Sequence, residues 1–380
     1  MNAPVLHLLD ATSTPDGLEM LGTLLEADGT ALHRVVVMGH ATTVDRAIAA
    51  GVPEECIERV HSMGALDPAG WRGVRRMMKR ITPTSVHAWG FSGLAAATVV
   101  GGSAGRVATF TTEPAPHQRI WLKKIAARAK WRWLATSDWV QRDLENSLQP
   151  TRAANSPRVE ILRPGIRSSQ AAATDCRTLR ISMGIAPEDG PIILLGGEIT
   201  EPAARQAHGL WAAAIVQKIY PAARVMVHPG LPRPFCWRDE VISVRQLAAT
   251  APDPRLIIYS SPQLHWRDVL QVATVMVVTP DQPININSVL WAMAVGVPVV
   301  ARATPQMAEL IDDGRTGVLV GNKPRDAAAG MDRVLDNAEF SSRLADAAKE
   351  HVRSAFAAGP MVERLRGIYE NKELAAGEKM

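Results

Sequence analysis

The chain has 380 residues, 47% of them apolar, so it is too long for one ordinary core and too apolar to be disordered. Its 42 basic and 38 acidic residues leave a formal charge of +4, mild enough that the placement of charge matters more than its sign. The three cysteines, Cys56, Cys176 and Cys236, match no metal spacing and no disulfide framework, and fit a reduced compartment or core burial.

The opening "MNAPVLHLLDATS" lacks a basic region followed by a long apolar stretch, so it does not read as a signal peptide. Val5–Leu9 reads as a buried strand, followed by a polar loop and a helix over Leu18–Leu25. Strands then follow at Arg34–Met38, Cys56–His61, Ser85–Ala88, Arg106–Thr111 and Trp133–Ser137. Helices alternate with them at Thr42–Ala50, Trp71–Arg80, Ser92–Val100, Ile120–Arg132 and Trp139–Ser147. Such alternation predicts a mostly parallel sheet covered on both faces. Residues 148–160 and 166–178 break the rhythm, with one short strand and a turn, "VEILRPGI", between them.

The pattern resumes with strands at Pro191–Leu195, Ala223–His228, Leu256–Tyr259, Val275–Val278 and Val297–Ala301. Helices are expected over Glu201–Ile219, Glu240–Thr250, Trp266–Ala273 and Asn287–Val295, with another short helix starting near Glu309. Asp313-Gly314 makes a turn, and the tail from Pro324 to Glu370 is helical with short breaks. We therefore expect an α/β chain of two doubly wound, Rossmann-like domains. The first covers 1–165, a linker covers 166–190, the second covers 191–355, and a last helix within 356–380 packs back on the first domain. Ligands of such sheets bind beyond the carboxyl ends of the strands, and two domains would share a cleft. The apolar runs Val269–Val278 and Val289–Ala301 fall short of the roughly 18 residues of a membrane span. The expected location is the cytoplasm, or the inner face of the membrane.

One segment carries a family resemblance. "LWAMAVGVPVVARATPQMAELIDDGRTGVLV", Leu290–Val320, resembles the donor-domain segment of retaining GT-B glycosyltransferases, group 1 (family 4-like). "SVHAWGFSGLAA", "VEILRPGI" and "DVLQVATVMVVTP" agree more weakly with other segments of that family. The resemblance implies a GT-B fold, two domains facing across a cleft, and metal-free transfer of a sugar with retention. It implies a nucleoside diphosphate sugar as substrate rather than a resident cofactor, and a glycan or lipid-linked acceptor on the first domain.

The chain departs from the family pattern at the donor site. The family's acidic pair, spaced eight apart, would fall on Pro283 and Trp291, with Asp281 displaced by two. Indole offers one donor and no acceptor for ribose hydroxyls, although it can stack on a ring. The basic diphosphate clamp would fall on Glu198 and Ala203, with Arg205 close by; a carboxylate facing a diphosphate is repulsive. A first-domain histidine of the family corresponds to Thr111, and its glycine pair is reduced to Gly17. Glu309 matches the family acid near the sugar; equally it is a helix-start residue favoured by the dipole.

Other candidates come from the residues themselves. Backbone N–H groups of Pro283–Asn287, "PININ", among them Ile284, Asn285 and Asn287, would meet a phosphate at a helix start, unless Asn287 is only the cap. Asp281 is a substitute acid or a turn residue. His87, at the end of a buried strand, is expected to face the cleft mouth or to pack. Gly196 and Gly197 allow close backbone approach to a ligand or merely turn the chain. Trp291 lines the cleft or the core. Tryptophans concentrate in the first domain, where some would stack on sugar rings and others would be core.

Two basic segments remain, "WRGVRRMMKR" within 71–80 and "RIWLKKIAARAKWRW" within 119–133, neither with an acid of its own. They fit weak contact with anionic lipid, an acidic acceptor, or solvated helix faces. No nucleic-acid-binding signature accompanies them. "LLDATSTPDG" lacks the GxGxxG fingerprint of a dinucleotide oxidoreductase. The two readings that remain are a glycosyltransferase with a divergent donor site, and a non-catalytic GT-B scaffold or sugar-binding protein of a polysaccharide or envelope assembly.

Overall fold

A computed structural model describes residues 4–39, 41–149, 157–167, 175–186, 188–198, 201–229, 242, 244–246, 249, 257–261 and 264–370. They fall into two compact units, 1–165 with 358–380, and 166–357. The expected helix over Glu240–Thr250, Cys236, and much of the 148–160 and 166–178 breaks lie largely or wholly outside the described residues.

The first unit is built from β1 (Val5–Leu9), α1 (Pro15–Asp28), β2 (His33–Met38), α2 (Ala41–Ala49), β3 (Ile57–Val60), α3 (Pro68–Ile81), β4 (Ser85–Ala88), α4 (Phe91–Val100), β5 (Gly105–Phe110), α5 (Pro116–Arg128), β6 (Arg132–Ala135), α6 (Asp138–Leu148) and β7 (Val159–Ile161). Its strands pair in parallel in the order β3-β2-β1-β4-β5-β6-β7. Alternate side chains of β1 go to opposite faces: Leu6 and Leu8 join the core with Val86, Leu94 and Trp133, while Leu9 joins Leu18, Leu21 and Leu24 of α1.

The second unit contains α7 (Cys176–Ser182), β8 (Ile192–Leu195), α8 (Gln206–Val216), β9 (Arg224–Val227), β10 (Ile257–Tyr259), α9 (Trp266–Val269), β11 (Val275–Val278), α10 (Asn287–Val295), β12 (Val299–Arg302), α11 (Pro305–Leu310), β13 (Val318–Val320), α12 (Pro324–Asp336) and α13 (Ala338–Ala355). The sheet order is β10-β9-β8-β11-β12-β13, again parallel. Ile193 and Leu195 face the α8 and α12 side, Ile192 and Leu194 the α10 side. α14 (Ala358–Glu370) returns to the first unit, where Met361, Val362, Leu365 and Ile368 are buried with Leu9 and Leu18.

Local chemistry sets the helix starts. Thr14, Asp67, Ser137 and Asn337 each accept a backbone N–H as the cap of α1, α3, α6 and α13, and proline opens α1, α3, α5, α11 and α12. Two expectations are corrected. The stretch 166–190 does not act only as a linker: Leu179 and Ile185 are part of the second unit's core. Glu201–Ile219 is not one helix, because a 3-10 turn at Pro202–Ala204 and a left-handed Arg205, φ 50°, delay α8 to Gln206.

Each sheet has one switch point, between β1 and β4 and between β8 and β11, where consecutive crossovers run in opposite directions. Carboxyl ends of strands at such a point part to leave a crevice, and that is where ligands of this architecture sit.

Candidate functional site

At the switch point of the second unit the crevice is occupied by the chain's own side chains. Gly197 N–H donates to Ser288 Oγ at 3.1 Å, and Gln206 Nε2 donates to Gly197 O at 2.5 Å. A Cβ on Gly196 would stand 2.6 Å from Val278 Cγ2; one on Gly197, at φ 75°, would stand 2.6 Å from Ala204 Cβ. Internal packing and a left-handed turn account for both glycines, so the expected approach of a ligand to their backbone is not what demands them.

The loop before α10 is likewise engaged. Ile284 N–H donates to Gln306 Oε1 at 2.9 Å, and Gln306 Nε2 returns a bond to Ile284 O at 2.8 Å. Asn285 gives both its backbone N–H and its Nδ2 to Glu201 Oε1, at 2.9 and 2.8 Å. The expectation that Ile284 and Asn285 offer N–H groups to a phosphate is therefore corrected: a buried carboxylate and an amide already take them. Asn287 is the first residue of α10 rather than its cap, which is Ile286. Glu201, Gln206, Ser288 and Gln306 were not legible as site residues. Each is a common polar type in a helix-like or loop-like stretch, and only through-space proximity gives it a partner.

Arg205 and Asp281, two separate candidates in the sequence, meet here. Their closest N–O distance is 3.6 Å, and Arg205 Nη2 also contacts His208 Nε2 at 3.0 Å. The two loops are tied as well: Asp281 N–H donates to Ala203 O at 3.2 Å, and the Thr279 side-chain hydroxyl donates to Arg205 O at 2.9 Å. Both side chains are about a third or more exposed, 41% and 35%, so the pair is weak and exchangeable.

Glu309 is half-buried and stands fifth in the six-residue α11, whose start is capped by Thr304 Oγ1. This corrects its placement at the helix start, so the dipole reading fails for it. Trp291 is 1% exposed within the core on the α10 side, with the His265 ring edge-on at 5.0 Å. No face of the indole is open to a nucleotide, and a ring-stacking role is corrected to core packing. Beside these groups, His228 is buried against Trp266 and bonds Ser260 Oγ at 2.7 Å; burial drops its pKa to about 4.

In the first unit His87 is also corrected. It is fully buried, with Nδ1 on Tyr369 Oη at 2.6 Å and Nε2 on Thr109 Oγ1 at 2.7 Å, and Trp89 stacks on it at 4.0 Å. Parallel register sets His7 beside it, and His7 Nε2 meets His33 Nδ1 at 2.9 Å. Burial lowers the pKa of all three histidines, that of His87 to about 3. With both nitrogens engaged, His87 packs rather than reaching a substrate.

The switch point of the first unit, by contrast, opens into a polar pocket of about 210 Å³, lined among others by Thr12, Thr14, Trp89, Thr111, Glu113 and Gln118. Gly17, in the first turn of α1, lies behind that lining: its N–H donates to Thr14 Oγ1 at 3.2 Å, and Thr14 and Thr111 hydroxyls bond each other. Asp10 is buried and braces two of the loops nearby. It accepts from Thr12 N at 2.7 Å and, at the start of α4, from Gly93 N at 2.9 Å. A Cβ on Gly90 would lie 2.6 Å from that carboxylate, so the helix start that could attract an anion already holds one.

The basic segments are partly neutralised from elsewhere in the fold. Arg80 pairs with Glu58, Arg119 with Asp143 at 2.9 Å, and Arg132 with Glu160 at 2.6 Å. Among the described residues no carboxylate pairs with Arg72, Arg75, Arg76, Lys79, Lys123, Lys124 or Arg128. Of the first-unit tryptophans, Trp89, Trp131 and Trp133 are buried, and Trp121 is exposed. No helix among the described residues is long and apolar enough to cross a membrane.

Comparisons with known proteins address the same geometry. A family model described as glycosyl transferases group 1 matches residues 288–351. A D-inositol 3-phosphate glycosyltransferase of a Nocardioides species is 29% identical over 255 residues, 63% of this chain and 54% of the relative. An alpha-maltose-1-phosphate synthase of Mycolicibacterium smegmatis is 27% identical, over 61% of this chain and 59% of the relative. The chain thus matches a little over half the length of these curated relatives. Among solved structures, Anabaena HepE in complex with UDP and glucose superposes with a TM-score of 0.78 at 16% identity, covering 96% of this chain and 98% of that one. Sucrose-phosphate synthase of Thermosynechococcus elongatus gives 0.74 at 14%, covering 97% and 98%.

Proposed function

We propose, for a chain with the GT-B fold that resembles group 1 glycosyltransferases, that it transfers a sugar from an activated donor to a glycan or lipid-linked acceptor. The donor is a nucleoside diphosphate sugar, a substrate rather than a resident cofactor, and the anomeric configuration is retained. Support comes from the group 1 segment 288–351, which contains Glu309 and all of α10 but its first residue, and whose Ser288 accepts from Gly197 just after β8, in the same unit as the Arg205–Asp281 pair. A leaving diphosphate needs positive charge where its own charge develops. Arg205 is the cation this reading assigns to that task. Its link to Asp281, at 3.6 Å and partly exposed, is loose enough for a phosphate to displace. Glu309 is the acid we assign to the sugar.

The buried Trp291 and the engaged N–H groups of Ile284 and Asn285 favour a second reading, a GT-B scaffold without transfer. Calorimetric titration with UDP, GDP and ADP, then their sugars, separates the two. Saturable binding of one nucleotide, weakened about tenfold or more by Arg205→Ala, a loss of at least ~1.4 kcal/mol, supports transfer. Glu309→Ala should then slow hydrolysis of the matching sugar nucleotide. No binding up to millimolar nucleotide would sink the nucleotide-sugar mechanism and leave the scaffold.

A further inference from the structure

The polar pocket of the first unit does not end at its threonines. Thr12, Phe91 and Gln118 also line a second, larger concavity of about 920 Å³ between α3, α4 and α5. That volume lies in the range of roughly 300–1,000 Å³ typical of small-molecule sites. Its wall is mostly apolar, with Leu66, Trp71, Ala95, Val99, Trp121 and Ile125. Several of these are exposed although large and apolar: Leu66 by 59%, Val99 by 50%, and neighbouring Met63 by 89%. Contiguous exposed apolar surface of this kind marks a binding face.

Charge at the rim narrows the occupant. Lys124 lies over the Trp121 ring at 4.6 Å, and Arg128 stands one turn further along α5. Among the described residues neither has a carboxylate partner. The acid of the lining, Asp67, is committed to backbone N–H groups of Met63 and Ala69, at 2.8 and 2.9 Å. Arg72, Arg75, Arg76 and Lys79 line a further basic hollow on α3. A polar hollow, an adjoining apolar groove and a cationic edge together match a molecule with a hydroxyl-bearing head, a hydrocarbon chain and an anionic group.

We propose that the first unit binds one anionic amphiphile, its hydrocarbon chain in the groove between α3, α4 and α5, its head in the threonine-lined pocket, and its phosphate at Lys124 and Arg128. Under the transferase reading, on which only the word acceptor rests, the acceptor is lipid-linked. The occupant is a single chain drawn into the groove, not a bilayer face resting on α3 and α5.

The test uses the full chain with no nucleotide present. Dodecyl phosphate, kept below its micelle concentration, is titrated by calorimetry and by tryptophan fluorescence, with inorganic phosphate and dodecyltrimethylammonium as controls. Saturable binding of one dodecyl phosphate is expected, with neither control matching it. Leu66→Asp with Val99→Asp, both at exposed positions that spare the core, should weaken it about tenfold or more, as should Lys124→Glu with Arg128→Glu. Binding that ignores the groove pair, or equal binding of the cationic amphiphile, overturns the proposal. So does binding to phosphatidylglycerol vesicles without binding to the monomer, which assigns the charges to a membrane surface. If light scattering shows a dimer that Leu66→Asp with Val99→Asp dissociates and dodecyl phosphate does not, the groove is a self-association face and the proposal falls. Nucleotide titration is independent of all these outcomes, so loss of the transferase reading and loss of this one are distinguishable.

Discussion

Glu201 is a buried carboxylate whose Oε1 holds two donors of Asn285. Charge-assisted bonds of this kind are worth roughly 1.5–3 kcal/mol when one partner is removed. Glu201→Ala should therefore lower stability by about that amount, whereas Glu201→Gln keeps an acceptor and should lose less. Urea unfolding of the two variants checks the order, and equal losses would refute the role of the carboxylate. Gly197→Ala must place a Cβ against Ala204 at a positive φ, a strain of about 1–2 kcal/mol from the backbone alone. Gly17→Ala meets only ordinary contacts of 3.4 Å and beyond, and should fold as the parent does. If transfer is lost in that variant with the melting temperature unchanged, a ligand approaches the α1 backbone there. Trp291→Glu, which would restore the family's acid by sequence, is expected instead to cost at least about 3–5 kcal/mol, because it deletes a buried aromatic and buries a charge. A variant that kept its stability and gained nucleotide affinity would contradict the core placement.

Elements show the same division between local and distant causes. α4 and α10 were legible as short runs that are apolar nearly all round, and α1 and α3 by their later turns, although the starts that Thr14 and Asp67 cap lie about one turn earlier than the chain pattern suggested. The interruption before α8 was not, since a left-handed Arg205 carries no pattern in the chain. α14 buries Tyr369 against His87 with a 2.6 Å bond, and Arg366 on the same helix pairs with Asp28. Tyr369→Phe leaves His87 Nδ1 without that partner. An expected loss of about 1–3 kcal/mol should appear as earlier hydrogen exchange of α14 than of the sheet. Unchanged exchange would mean that the apolar contacts of Leu365 and Ile368 hold the helix without it.

Across the whole molecule, the buried histidines make stability depend on pH. His87 sits at about 3 and His228 at about 4, against an ordinary 6.5, with burial as the leading cause. His7 and His33 are lowered for the same reason, Asp28 beside His33 pulling the other way but less. Below 6.5 the unfolded chain takes up protons that the folded chain refuses, so stability falls as pH drops from there toward about 3. Urea midpoints at about pH 7.5 and about pH 5 should differ, with the lower pH less stable. Equal midpoints would mean that these imidazoles are solvated in the folded state.

The chain's order of strands, helices and turns follows from hydrophobic period and cap chemistry, both local, and so does the doubly wound α/β class that the structural matches share. The group 1 segment was equally legible, since "AVGVPVVA" and "DDGRTG" are contiguous in the chain. What those residues face was decided only in three dimensions. His87 and Trp291 ended in cores, Arg205 met Asp281, and Glu201 and Gln306 took the N–H groups assigned to a phosphate. A contact between residues about eighty apart in sequence leaves no periodic trace, because it depends on which strands pair and which side chain first satisfies a buried polar group.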